Sequence, residues 1–112
     1  MKKNASLIVS IVRKGWGSSV LQASVKAGAR GGTVLLGRGA GVHEKDRIFG
    51  MSIEPEKEIV LTIVPEDQVD TILAAIVVAA ELEDTGRGMA FVVPVHKLVG
   101  VADSMLLENG TP

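Results

Sequence analysis

The stretch Ile59-Val60-Leu61-Thr62-Ile63-Val64-Pro65-Glu66-Asp67 changes abruptly from apolar residues to a proline and two acids. Its apolar part is short and β-branched, which predicts a strand over Lys57–Val64. Proline suits the first turn of a helix, and acidic side chains favour the positive end of a helix dipole. Apolar residues then recur at helical spacing to about Leu82. The stretch therefore predicts a strand that leads directly into a long helix.

Around this unit the sequence predicts three more strands and one more helix. The strands are Ser6–Val12, Thr33–Arg38 and Met89–Val95. Ser19 and Gln22 have the spacing of a capping box, and the helix that they open would end before Gly28. The order β-α-β-β-α-β is that of the ferredoxin-like fold, an α+β class with a four-stranded antiparallel sheet and two helices on one face.

Both alternating sets of side chains are mostly apolar in the predicted strands, Ile59–Val64 included. Such a pattern indicates a sheet that is buried on both faces. Two helices cover only one face, so we expect neighbouring subunits to cover the other. This predicts a homo-oligomer packed sheet to sheet, and a cyclic one is favoured.

The composition limits the classes of function. The chain has 112 residues, which suits a single domain over 1–112, and its net charge is −1 with no cysteine. A balanced charge argues against nucleic-acid binding. The basic start is not followed by a long apolar run, and no segment reaches the roughly 20 apolar residues of a membrane span. We expect a cytoplasmic protein without membrane insertion.

Two glycine-rich stretches stand at strand ends, Gly37–Gly41 and Thr85–Gly88. Each carries one arginine, a side chain suited to phosphate or carboxylate. Together they could form an anion cradle, although each alone is more often a bulge or a tight turn. Neither is a Rossmann or Walker A motif.

The segment Val42–Glu56 is charged and lacks periodicity, yet it contains Ile48, Phe49 and Met51. One hypothesis is a hairpin between two strands. The other is a partner-binding arm whose apolar residues are buried only in a complex. The C-terminal segment 103–112 is expected to be a tail.

Catalytic and metal chemistry have little support in the sequence. His43 and His96 are the only histidines and lack metal-ligand spacing. No pairing of a nucleophile with a base is evident. We therefore expect a protein that is not an enzyme and has no metal site.

The arrangement resembles the PII signal-transduction family. The resemblance spans about Ala5 to Val101 and rests on the order of three segments. They are Gly31–Gly41, Val64–Ile72 and Thr85–Val92.

This resemblance implies a homotrimer that binds an adenine nucleotide (ATP, ADP or AMP, which Mg²⁺ could accompany) in clefts between subunits. It also implies a T-loop, here Val42–Glu56, that docks onto a membrane transporter or a metabolic enzyme through residues such as Arg47, Ile48, Phe49 and Met51. Adenine would lie near Thr33, Ile63 and Val64. The phosphates would lie near Gly39, Gly41, Gly86, Arg87 and Gly88. The nucleotide-binding set also includes Arg38, His43 and Met89.

The chain departs from the family pattern at positions where basic side chains would bind phosphate. Met89 replaces the usual phosphate-binding lysine, and Val99–Ala102 replaces the C-terminal arginines. Two lost charge-assisted contacts of ~1.5–3 kcal/mol each would weaken triphosphate binding by ~100-fold or more. The absence of tyrosine excludes tyrosine uridylylation. The alternative function is a trimeric binding module of the same fold for a metal ion, a small anion or a metabolite, without nucleotide signalling.

Overall fold

A computed structural model describes residues 4–41, 46–48, 51–53 and 55–100, with 46–48 and 51–53 described in backbone only. The strands are β1 (Ala5–Arg13), β2 (Thr33–Arg38), β3 (Asp46–Ile48), β4 (Met51–Ile53), β5 (Glu56–Pro65) and β6 (Gly88–Val95). The helices are α1 (Gly17–Lys26) and α2 (Val69–Ala80), and a 3₁₀ turn over Glu66–Gln68 precedes α2. All the strands predicted from the sequence are present, with ends that differ by one residue or none.

The main sheet has four antiparallel strands in the order β2-β5-β1-β6. Strand β1 lies at its centre, with Val9 opposite Leu61 of β5 and Phe91 of β6. This order is that of the predicted ferredoxin-like fold, which is confirmed. Among the described strands, the short strands β3 and β4 pair with each other, antiparallel, within the predicted T-loop segment.

The core lies between the sheet and the two helices. Residues of even number in β1 and β5 face the helices, because successive side chains of a strand point to opposite faces. They pack with Val20 of α1 and with residues of α2. The largest buried side chains of this layer are Ile8, Val12, Val20, Val60, Val64, Ile72 and Ile76, each at most 1% exposed.

The opposite face of the sheet is apolar and is not covered by any described element of the chain. In its outer strands, Leu35 is 43% exposed, Phe91 43% and Met89 57%. The central strands contribute half-buried side chains to the same face, namely Leu7, Val9, Ile11, Ile59, Leu61 and Ile63. Monomeric proteins rarely expose a continuous apolar surface of this extent.

Helix α1 begins earlier than its sequence predicts, and the expected capping box is wrong. The helix starts at Gly17 after Trp16, which makes no side-chain cap hydrogen bond. The Gly17 N–H instead donates to Glu58 Oε1 of β5 at 2.7 Å. A carboxylate from a neighbouring strand thus satisfies a free N–H of the first turn, which no local motif could reveal.

Helix α2 ends at Ala80, two residues before the predicted end, and Glu81 follows in a left-handed conformation with φ of 54°. The Leu82 N–H donates to the Val77 carbonyl at 3.0 Å and closes the last turn. Residues 101–112, which include the predicted tail, lie outside the described residues.

We predict that Glu58→Ala destabilises the fold by about 0.5–2 kcal/mol, because the first turn of α1 loses its cap. Urea denaturation measures the change. The matched control is Glu56→Ala, which removes an exposed carboxylate that pairs with Lys14 Nζ at 3.0 Å. Exposed pairs of this kind contribute little, so the control should change the free energy of unfolding by a few tenths of a kcal/mol at most. Equal losses in the two variants would contradict the capping role.

Candidate functional site

The two glycine-rich stretches meet at one end of the uncovered sheet face. They line a single pocket of about 600 Å³, together with the ends of β1, β5 and β6. The lining residues are Ile11, Gly37, Arg38, Gly39, Ala40, Gly41, Lys57, Ile59, Gly86, Gly88 and Met89. Six of the predicted nucleotide-binding residues are therefore brought together: Arg38, Gly39, Gly41, Gly86, Gly88 and Met89.

Glycine is required at the start of β6. Gly88 has φ of +140°, and a Cβ there would collide with the Ile11 carbonyl oxygen. The missing side chain lets β6 approach β1 closely, which holds the second glycine stretch against the pocket. Gly86 has φ of +79°, a conformation that also favours glycine.

Lys57 is a cation of this pocket that the sequence analysis missed. It is only 7% exposed and lies directly opposite Gly37 in the β2–β5 ladder. Alternation along β5 places Glu58 on the helix side, so Lys57 belongs to the pocket side. The signal was present in Glu56-Lys57-Glu58, where the charge alternates with the same period as the faces. Arg38 is the other cationic residue of the lining.

Arg87 stands between two pocket glycines, but its side chain makes other contacts. Its guanidinium lies 5.6 Å from the centre of the Trp16 ring, and Nη2 is 3.4 Å from Glu81 Oε1. These are a cation–π contact and an ion pair. Arg87 is not among the residues that line the pocket.

The residues expected near adenine lie at the other end of the sheet. Thr33 begins β2, so it is roughly 16 Å from Arg38 along the strand at about 3.3 Å per residue. Ile63 and Val64 lie near the end of β5, and Val64 is fully buried beneath the helices. One chain therefore does not bring the two predicted parts of a nucleotide site together.

The loop between β2 and β5 is closed beside the pocket. The Gly39 N–H donates to the Pro55 carbonyl at 3.1 Å, which joins the two ends of the loop. Of the predicted partner-binding residues, Arg47, Ile48 and Met51 lie in β3 and β4. Phe49, like the predicted site residue His43, lies outside the described residues.

Within the described ranges, no group of three or more His, Cys, Asp or Glu side chains is placed to hold a metal ion. Among the same residues, no helix is both long and apolar enough to cross a membrane.

Comparison with known proteins agrees with this fold. The model of the family described as nitrogen regulatory protein P-II matches residues 5–104. The chain belongs to the P-II family. A solved structure of Arabidopsis thaliana PII bound to citrate is 30% identical, with a TM-score of 0.66 over 83% of this chain and 78% of that chain. The search of curated proteins finds no significant match.

We predict that Gly88→Ala destabilises the protein by about 2 kcal/mol or more, because a side chain there meets β1 and a strained φ. Gly39→Ala is the matched control on the other side of the pocket. A Cβ at Gly39 has no atom within 4 Å. This control should change the free energy of unfolding by no more than about 0.5 kcal/mol. Thermal denaturation compares the two, and a stable Gly88→Ala variant would contradict the close approach of β6 to β1.

Proposed function

We propose that this chain is a trimeric, cytoplasmic signalling regulator of the P-II type rather than an enzyme. It binds an adenine nucleotide with the phosphates in the pocket between the glycine stretches. The bound state is communicated to a target protein through the Val42–Glu56 loop. The target is a membrane transporter or a metabolic enzyme.

The pocket is the observation that carries this proposal. Backbone N–H groups of glycine-rich turns form concave sites for anions. Lys57 adds positive charge, Arg38 also belongs to the lining, and Ile11, Ile59 and Met89 provide an apolar floor. A ligand with an anionic end and an apolar body matches this combination.

The small positive charge of the pocket favours a nucleotide with one or two phosphates over a triphosphate. Met89 replaces a lysine, and Arg87 is directed to Glu81 and Trp16. Two cations on the lining suit a monophosphate or a diphosphate better than a triphosphate. They also suit a small carboxylate anion, and the citrate bound to the related plant protein favours that alternative ligand class.

A trimer would complete the site. The uncovered apolar face needs a partner, and the pocket lies at the edge of that same face. In such an assembly the end of one sheet that holds Thr33 and Ile63 can approach the pocket of a neighbour. Adenine and phosphates would then be held by different subunits.

The loop closure supports coupling between ligand and target. Gly39 both lines the pocket and holds the returning end of the loop at Pro55. A ligand that contacts the Gly37–Gly41 backbone therefore acts on the base of the loop. A ligand that favours one loop conformation shifts the loop population and with it the affinity for the target.

Calorimetry with ATP, ADP, AMP and citrate tests the ligand. We expect ADP or AMP to bind at least as tightly as ATP. Lys57→Met should weaken that binding by about 10- to 100-fold, because one charge-assisted hydrogen bond of ~1.5–3 kcal/mol is lost. Lys26→Met, at the end of α1, is the control and should leave affinity unchanged. If no nucleotide binds at millimolar concentration, the nucleotide part of the proposal fails, and citrate binding alone would favour the alternative ligand.

Val9→Lys tests the trimer. Val9 lies at the centre of the uncovered face, and a buried lysine there lacks a partner, so we expect a monomer in size-exclusion chromatography with light scattering. Val78→Lys is the control on the outer side of α2, where Val78 is 78% exposed. That variant should remain a trimer. A trimeric Val9→Lys variant would show that the subunits meet elsewhere.

A further inference from the structure

The segment between α2 and β6 places Glu81 beside Arg87, the arginine of the second glycine stretch. The segment contains two successive turns. The Asp84 N–H donates to the Glu81 carbonyl at 3.0 Å, and the Arg87 N–H donates to the Asp84 carbonyl at 3.4 Å. The chain therefore doubles back, and the side chains of Glu81 and Arg87 form their ion pair.

Glu81 is an unusual residue for its backbone position. It is the one non-glycine residue with positive φ in the described ranges, and it occupies the site after a helix where glycine is common. Glycine there would avoid the strain of a left-handed conformation. The stability of the helix end thus does not account for a glutamate, whereas its carboxylate has a partner in Arg87.

Arg87 is held on two sides but not deeply. Its side chain is 35% exposed, and that of Glu81 is 48% exposed. Ion pairs and cation–π contacts at such exposure are weak. A phosphate in the adjacent pocket carries more negative charge than one carboxylate and can compete for the guanidinium. Gly86 and Gly88, on either side of Arg87, both line that pocket.

We propose that Glu81 is a specificity-determining residue that competes with the bound anion for Arg87. With the pair formed, Arg87 adds no positive charge to the pocket, and ligands with few negative charges are favoured. With the pair broken, Arg87 joins the pocket and favours more highly charged ligands. This inference rests on the proposed anion-binding function of the pocket.

The test is a double-mutant cycle with ADP as the probe, measured by calorimetry. Glu81→Gln should tighten ADP binding by about two- to fivefold, the factor that corresponds to an exposed ion pair. In an Arg87→Ala background, Glu81→Gln should not change the affinity for ADP, because Glu81 acts on the ligand only through Arg87. The gain should be larger for ATP than for AMP. Glu83→Gln removes the same charge two residues away and should leave all three affinities unchanged.

Two further readouts separate this role from a structural one. Glu81→Gly should raise the melting temperature, because the left-handed strain is relieved, and should still tighten ADP binding. Trp16 is the only tryptophan of a chain without tyrosine, so its emission reports the Arg87 contact directly. ADP should change that emission in the wild type and much less in Arg87→Ala.

The outcomes distinguish the two proposals. If the wild type binds ADP and Glu81→Gln changes nothing, or its gain persists in Arg87→Ala, the competition is wrong and the binding function stands. If the wild type binds none of the nucleotides, the nucleotide part of the proposed function fails, and the competition between Glu81 and a bound nucleotide is overturned with it.

Discussion

An apolar sheet face without a cover is the constraint on which the rest of the structure depends. The helices pack on the even-numbered side chains of β1 and β5, and the odd-numbered side chains form a second hydrophobic surface. Burial of apolar area contributes about 25 cal/mol per Å², so an exposed face of this kind represents a large unused stabilisation. The pocket lies at the edge of this face, so subunits that associate through the face would also change the surroundings of the candidate site.

The pocket combines a glycine-rich backbone with few basic side chains. Glycine at positions 37, 39, 41, 86 and 88 leaves these parts of the lining without side chains. Of the basic residues near it, Lys57 and Arg38 belong to the lining. Arg87 does not line the pocket, and its side chain contacts Glu81 and Trp16. Charge at this site is thus set by contacts between side chains as much as by the count of basic residues.

The sequence was sufficient for the fold because each element carries its own local signal. Short, β-branched apolar runs identified the strands, and Pro65 with its acids located the start of the second helix. The contacts around the site are different, because they join residues far apart in the chain. Glu58 caps a helix 41 residues earlier, and no spacing rule connects the two. The same holds for Arg87 and Trp16, since a basic residue in a glycine loop predicts an anion and not an aromatic ring.

The adjacent residues Lys57 and Glu58 serve opposite sides of one strand. Lys57 supplies charge to the pocket, and Glu58 anchors α1 through the Gly17 N–H. A shift of one residue in the pairing of β5 would exchange the two faces. It would place a carboxylate in the pocket between the glycine stretches and an ammonium group at the positive end of α1. Insertions and deletions in the preceding loop therefore preserve both contacts only if the register of Lys57 and Glu58 in β5 is unchanged. The length of the loop can vary, whereas the pairing of the strand that follows cannot.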